Sequence, residues 1–81
     1  MRKHLVDSEV IYQDIQIATE VELVQKSAKR LKRILWGLKR DYNAVWYFAA
    51  DECYAALTTA LKSVDRRRET FVIYRLADIL N

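Results

Sequence analysis

The chain has 81 residues, of which 52% are hydrophobic and 31% charged, and its formal net charge is +3. This length fits one domain spanning residues 1–81, and no apolar run approaches the length of a membrane span, so we expect a soluble protein. One cysteine, Cys53, and one histidine, His4, exclude an internal disulfide and a four-ligand zinc site, and we expect no other metal or cofactor. A lone thiol also fits the reducing cytoplasm.

The chain contains a single glycine, Gly37, and no proline. These residues form most tight turns between strands, so their scarcity favours helices over a β fold. Asp7 and Ser8 predict the cap of a short first helix that runs to about Ala18. Two alternatives remain for residues 1–18, an extended segment because of their β-branched side chains and a poorly ordered terminus.

The next segment has the strongest helical pattern of the chain. Thr19 and Glu22 have the spacing of a capping box, which predicts a helix from Thr19 to about Arg40. Apolar residues then alternate at three and four positions, which is typical of a helix that packs along one seam. They are Val21, Val24, Ala28, Leu31, Leu35, Leu38, Tyr42 and Val45.

A second stripe predicts another helix from about Ala44 to Val64, with Trp46, Ala50, Cys53, Leu57, Ala60 and Val64 on one side. A terminal helix from about residue 67 to residue 80 follows a polar turn. The expected fold is an all-α bundle of three or four helices, built on a long antiparallel helical hairpin. An unbroken helix from 19 to 64 is the alternative. Apolar residues off the stripes indicate self-association, most simply as a homodimer.

Positive charge is concentrated in one segment. Residues 26–40 contain seven basic residues and no acid. On a helix, several of them lie opposite the apolar stripe. Three interpretations remain for them: the ordinary solvated face of an amphipathic helix, a site for an acidic protein surface, and a site for nucleic acid. In the predicted hairpin, the arginines at positions 66–68 would lie near Lys26 and extend the patch. The candidate anion-binding residues are Lys26, Lys29, Arg30, Arg33, Arg40, Arg66, Arg67 and Arg68.

The sequence offers no catalytic set. Asp51 and Glu52 are adjacent, so on a helix they point about 100 degrees apart and do not form a carboxylate pair. Cys53 lies on the apolar stripe with no histidine nearby to activate it. Asp51 is flanked at helical spacing by Tyr47 and Tyr54, and this edge is the candidate partner-binding site. An internal ion pair of Asp51 with a basic residue of the same chain is the competing interpretation.

The run Ala44-Val45-Trp46-Tyr47-Phe48-Ala49-Ala50-Asp51, with Leu57 and Thr58 beyond it, resembles the third-helix segment of the Hha/YmoA family. Members of that family are small helical proteins that bind the nucleoid-associated protein H-NS and modulate its gene silencing. The resemblance implies that Asp51 contacts an arginine of a partner, with Tyr47 beside it.

Together these features predict a non-enzymatic helical protein-interaction module of the cytoplasm, acting as a small regulator or inhibitor that binds another macromolecule. We expect a protein partner and homo-oligomers, and no membrane or small-molecule substrate. The alternative is a direct nucleic-acid-binding protein that uses the basic helix 26–40. A subunit that folds only within an assembly is a third interpretation.

Overall fold

A computed structural model of the chain describes residues 6–80, so His4 lies outside the described residues. The fold is α/β, and the predicted all-α helical bundle is wrong. None of the described helices has the length and apolar character needed to cross a membrane. The elements in chain order are β1 (Ser8–Tyr12), β2 (Ile15–Glu22), α1 (Ala28–Asp41), β3 (Val45–Ala49), α2 (Asp51–Val64), β4 (Phe71–Arg75) and α3 (Leu76–Leu80).

The four strands form one mixed sheet in the order β1-β2-β3-β4. β1 and β2 are an antiparallel hairpin in which Tyr12 pairs with Ile15. The two turn residues, Gln13 and Asp14, have φ values of 52° and 64°. A two-residue hairpin turn with both φ values positive matches the twist of the strands and usually contains glycine. The chain therefore makes a tight hairpin without glycine, at a cost of roughly 1 kcal/mol per turn residue.

The remaining strands are parallel, and each pair is connected through a helix. β2 pairs with β3 and β3 with β4, so α1 and α2 are consecutive crossover connections. The two helices pack against each other and cover one face of the sheet. The main buried side chains between them and the sheet are Ala18, Leu31, Leu35, Leu38, Val45, Tyr47, Ala49, Cys53, Leu57, Ala60, Leu61, Val64 and Phe71.

The predicted helix from Thr19 to Arg40 is only half present. Residues 15–22 form β2, in which β-branched side chains occupy every second position, as they do in strands. α1 begins after Ser27, whose hydroxyl accepts a hydrogen bond from the Arg30 N–H at 3.2 Å. The capping box at Thr19 is therefore wrong, and the predicted short helix before it is the β1–β2 hairpin. The extended alternative fits that part of the chain.

The predicted helix from Ala44 to Val64 is also divided. Residues 45–49 form β3, although both the apolar stripe and the Hha/YmoA resemblance predicted a helix there. Only residues 51–64 are helical, as α2. The predicted terminal helix consists of β4 followed by the five-residue α3. Neither the long helical hairpin nor the unbroken helix from 19 to 64 exists in this fold.

Candidate functional site

One face of the sheet is covered by α1 and α2, and no described helix forms a layer on the other face. Because side chains alternate between faces and paired residues share a face, the strand registers define this second surface. We call it the open face. It comprises Ser8, Val10, Tyr12, Ile15, Ile17, Thr19, Val21, Trp46, Phe48, Val72 and Tyr74, and none of these residues carries a charge.

Aromatic side chains form a continuous cluster across the open face. The ring centroids of Tyr12 and Trp46 are 5.9 Å apart, and those of Trp46 and Tyr74 are 6.2 Å apart. Phe48 stacks on Tyr74 at 5.3 Å. These separations are in the range of favourable ring contacts. Several members of the face remain exposed, including Tyr12 and Tyr74, so the cluster is partly open to water. An uncharged aromatic surface of this kind is typical of a docking site.

The three residues predicted to bind a partner do not lie on one surface. Tyr47 is 1% exposed and belongs to the core, where burial raises the pKa of its hydroxyl. Asp51 and Tyr54 lie together on α2, and both contact Arg75 of β4. The guanidinium of Arg75 lies 4.0 Å from the Tyr54 ring centroid and 3.4 Å from Asp51 Oδ1. Asp51 thus has an internal arginine partner, as in the competing interpretation.

Four of the eight predicted basic residues lie on the exposed surface of α1, namely Lys29, Arg30, Arg33 and Arg40. Lys26 is different, because it precedes α1 and its ammonium pairs with the buried Glu22. The arginines at positions 66–68 follow α2 and are exposed. Arg66 and Arg67 share a cleft with Trp36 and Lys39 near the C-terminal end of α1. The predicted position of the three arginines next to Lys26, at the other end of α1, is therefore wrong.

A buried carboxylate organises the loop that carries these arginines. Asp65 is fully buried, and its oxygens accept hydrogen bonds from the N–H groups of Glu69, Thr70 and Phe71 at 3.2, 3.1 and 2.8 Å. Lys39 Nζ lies 3.3 Å from the same carboxylate. Burial alone raises the pKa of Asp65, but these four hydrogen bonds outweigh it and leave the pKa below its usual value.

Trp36 is a candidate functional residue that the sequence analysis missed. Its side chain is 53% exposed, on the side of α1 that faces away from the core. Large aromatic residues normally contribute to cores or interfaces. A signal was present in the sequence, since Trp36 lies opposite the apolar stripe of Leu31, Leu35 and Leu38 and among basic residues.

A second buried acid lies at the end of β2. Glu22 is 2% exposed; one carboxylate oxygen contacts Lys26 Nζ, and the other, Oε2, has no hydrogen-bond partner in the described part of the chain. The ion pair with Lys26 is therefore the only counter-charge contact seen for this carboxylate in the described residues, and removing it would leave the charge buried without compensation.

We expect Lys26→Met to destabilise the fold by about 2 kcal/mol, because it leaves a buried carboxylate without its counter-charge while keeping the apolar stem. Lys29→Met removes an exposed charge three residues further on and should change stability by less than about 0.5 kcal/mol. Urea unfolding of both variants measures the difference. An equal effect of the two substitutions would show that the Glu22–Lys26 pair contributes nothing.

The described residues include no other group that suggests chemistry. Cys53 is buried in the core, and burial raises the pKa of its thiol, which keeps it protonated and unreactive. Within residues 6–80, no three His, Cys, Asp or Glu side chains are grouped so that they could hold a metal ion. No family model, no curated protein and no solved structure matches this chain.

Proposed function

We propose that the chain is a non-enzymatic protein-interaction module whose open face is occupied by a second copy of the chain. The observation that carries this proposal is the absence of any charged residue on a four-stranded sheet surface that includes Trp46, Phe48 and Tyr74. All-parallel sheets occur almost only with both faces covered; three of the four strands here are parallel, and α1 and α2 cover only one face.

The distribution of charge favours self-association over an ionic partner. The chain has a net charge of +3, so two copies repel each other at most orientations. On the open face this repulsion is weakest, because the charged strand residues Glu9, Glu20, Glu22 and Arg75 all belong to the opposite face of the sheet. An uncharged surface meets an identical uncharged surface without burying an unpaired ion.

The shape of the open face also suits a second sheet. Strands lie about 4.8 Å apart, so four strands give a surface about 19 Å wide. Two such sheets pack face to face at about 10 Å, with side chains that interdigitate between them. In a two-fold dimer, residues near the axis meet their own copies. Trp46 and Phe48 lie on the inner strand β3, so they would pair with aromatic rings of the second copy.

The proposed location is the cytoplasm, which the single buried free thiol Cys53 supports. A role as a small regulator that binds another macromolecule remains part of this proposal. In a face-to-face dimer, both copies of α1 stay on the outside and are free to contact it.

Sedimentation equilibrium tests the proposal. We expect the wild-type chain to sediment as a species of twice its 9.6 kDa mass at submillimolar concentration. Val72 is 44% exposed on β4, and Val72→Glu should weaken the dimer by at least about 100-fold, because a charge is then buried in an apolar interface.

The matched control is Ile11→Glu, which places the same charge on the other edge strand but on the opposite side of the sheet. Ile11 is 78% exposed, and this variant should dimerise like the wild type. In a Trp36→Phe background, Trp46 is the only tryptophan, and its emission should shift to shorter wavelength as the concentration rises. A wild-type chain that stays monomeric at every concentration would refute the proposal.

A further inference from the structure

We propose that the outer surface of α1 binds single-stranded nucleic acid, with one base stacked on Trp36 and the neighbouring phosphates held by basic residues of α1 and of the α2–β4 loop. We call this region the Trp36 surface; it comprises Lys32, Arg33, Trp36, Lys39, Arg40, Arg66 and Arg67. It lies on the helical side of the sheet, away from the open face, and is a function additional to self-association.

The helix geometry surrounds the exposed ring with cations. Residues three and four positions away on a helix are its surface neighbours. For Trp36 these are Lys32, Arg33, Lys39 and Arg40, and every one of them is basic. The ring is 53% exposed, and Lys39 Nζ lies 6.0 Å from its centroid. A flat aromatic surface ringed by positive charge is the combination that binds single strands without sequence preference.

The loop after α2 adds two more cations from a second element. Arg66 and Arg67 line a cleft of about 220 Å³ together with Trp36, Lys39, Ser63 and Glu69. The two crossover helices run in the same direction, and Lys39 Nζ donates a hydrogen bond to the Val64 carbonyl at 2.8 Å. This contact brings the C-terminal ends of α1 and α2 together, so the loop arginines lie beside the Trp36 ring.

The loop is held in place by interactions that do not use the side chains of its arginines; Arg68 contributes only its backbone N–H, which donates to the Asp65 carbonyl. Asp65 binds the N–H groups of Glu69, Thr70 and Phe71 and the ammonium of Lys39. The carboxylate is fully buried and already compensated, so it does not neutralise the exposed arginine next to it in sequence. The Asp65 network therefore fixes the loop while its cationic side chains remain free for a ligand.

Among the cations of the Trp36 surface, Lys39 is held by Asp65 and the Val64 carbonyl, and the others contribute little to the fold's own ion pairs. Within the described residues 6–80, Lys32, Arg33, Arg66 and Arg67 form no ion pair. Arg40 pairs with Asp41 at 3.2 Å in an exposed position, where such pairs contribute little. Positive charge that the fold does not use for its own ion pairs favours an anionic ligand.

Among anionic ligands, the exposed indole of Trp36 favours single-stranded nucleic acid over an acidic protein or a duplex. An acidic protein or a duplex can be bound by cations alone, whereas an unpaired base presents a free ring face to Trp36. The α1 surface extends about 1.5 Å per residue, so the basic residues from Lys29 to Arg40 span roughly 17 Å. That length accommodates a few nucleotides of a single strand.

Fluorescence anisotropy with a labelled oligothymidylate tests this inference on the full chain. We expect binding by the wild type, and about tenfold weaker binding by Trp36→Ala, because one base-stacking contact is lost. The double variant Arg66→Ala/Arg67→Ala should bind more weakly and with a shallower salt dependence, by about 0.7 in the log–log slope for each phosphate contact removed. Lys62→Ala removes an exposed positive charge outside the cleft and is the matched control, with unchanged affinity.

A spectroscopic readout separates stacking from charge. In a Trp46→Phe background, Trp36 is the only tryptophan, and oligothymidylate should quench its emission while heparin, a polyanion without bases, should bind without quenching. Three results would overturn the proposal: unchanged affinity of Trp36→Ala, tighter binding of a duplex than of the single strand, or polyglutamate binding as tight as that of the oligonucleotide. Circular dichroism of each variant confirms that the fold is intact. None of these readouts depends on whether the chain dimerises through Val72.

Discussion

Asp65→Ala should destabilise the fold by about 4 kcal/mol, the largest effect expected of any single substitution considered for this chain. The carboxylate accepts hydrogen bonds from three backbone N–H groups and from Lys39. Each buried donor that loses its acceptor costs about 1 to 3 kcal/mol, less where water can enter. For a domain of this size, such a loss corresponds to a fall in melting temperature of about 20 °C. Thermal unfolding followed by circular dichroism measures it.

Glu69→Ala is the matched control for this prediction. It removes an equal charge from the same loop, but the Glu69 side chain is exposed and only its backbone N–H contacts Asp65. We expect its stability to lie within about 0.5 kcal/mol of the wild type. If both variants lost similar stability, the charge of the loop rather than the Asp65 hydrogen bonds would be responsible.

The same carboxylate gives the stability a defined pH dependence. The pKa of Asp65 is lower in the folded chain than in the unfolded chain, where it is about 3.9. The ionised form is therefore the one that the fold stabilises, and its contribution is complete above the unfolded pKa and is lost as the pH falls through the folded pKa. Asp65→Asn should remove this part of the stability that acid takes away. Urea unfolding between pH 7 and pH 2 would then show a free energy of unfolding that changes less with pH below about pH 4 than that of the wild type. An identical acid profile for the wild type and Asp65→Asn would contradict this assignment.

The helical stripes were correct only where they fell inside one element. Leu31, Leu35 and Leu38 do form the buried side of α1, and Cys53 and Leu57 that of α2. The stripes predicted helix wrongly at their N-terminal ends. A few apolar residues spaced three or four apart also occur when a strand and a loop precede a helix. β2 was visible as an alternation of β-branched residues, but β3 is apolar on both faces and has no period that separates it from a helix.

The candidate surfaces were predictable to different degrees. Charge alone places the basic residues of α1 on the exterior, so that part required no knowledge of the fold. The position of the arginines at 66–68 depends on the topology of the chain. A helical hairpin would place them near Lys26. Crossover connections instead make α1 and α2 parallel and place these arginines near Lys39. The open face was not predictable, because it exists only once four strands are aligned in register.

Leu35→Ala and Val24→Ala form a pair of substitutions whose effects separate this fold from a long helix over residues 19–40. Both residues belong to the same three-and-four stripe, so a continuous helix would bury them alike. In the α/β fold, Leu35 is fully buried beneath the sheet, while Val24 is 75% exposed in the loop between β2 and α1. We expect Leu35→Ala to lower the free energy of unfolding by about 3 kcal/mol, since it leaves a cavity in the core.

Val24→Ala should change the free energy of unfolding by less than about 0.5 kcal/mol, because an exposed loop side chain makes few contacts in the folded state that the substitution could remove. Urea unfolding measured at the same protein concentration keeps the contribution of self-association equal in both variants. A loss of about 2 kcal/mol or more at Val24 would mean that residues 21–24 pack against a core, as a continuous helix requires. The ratio of the two effects therefore tests the boundary between β2 and α1, on which the position of the Trp36 surface also depends.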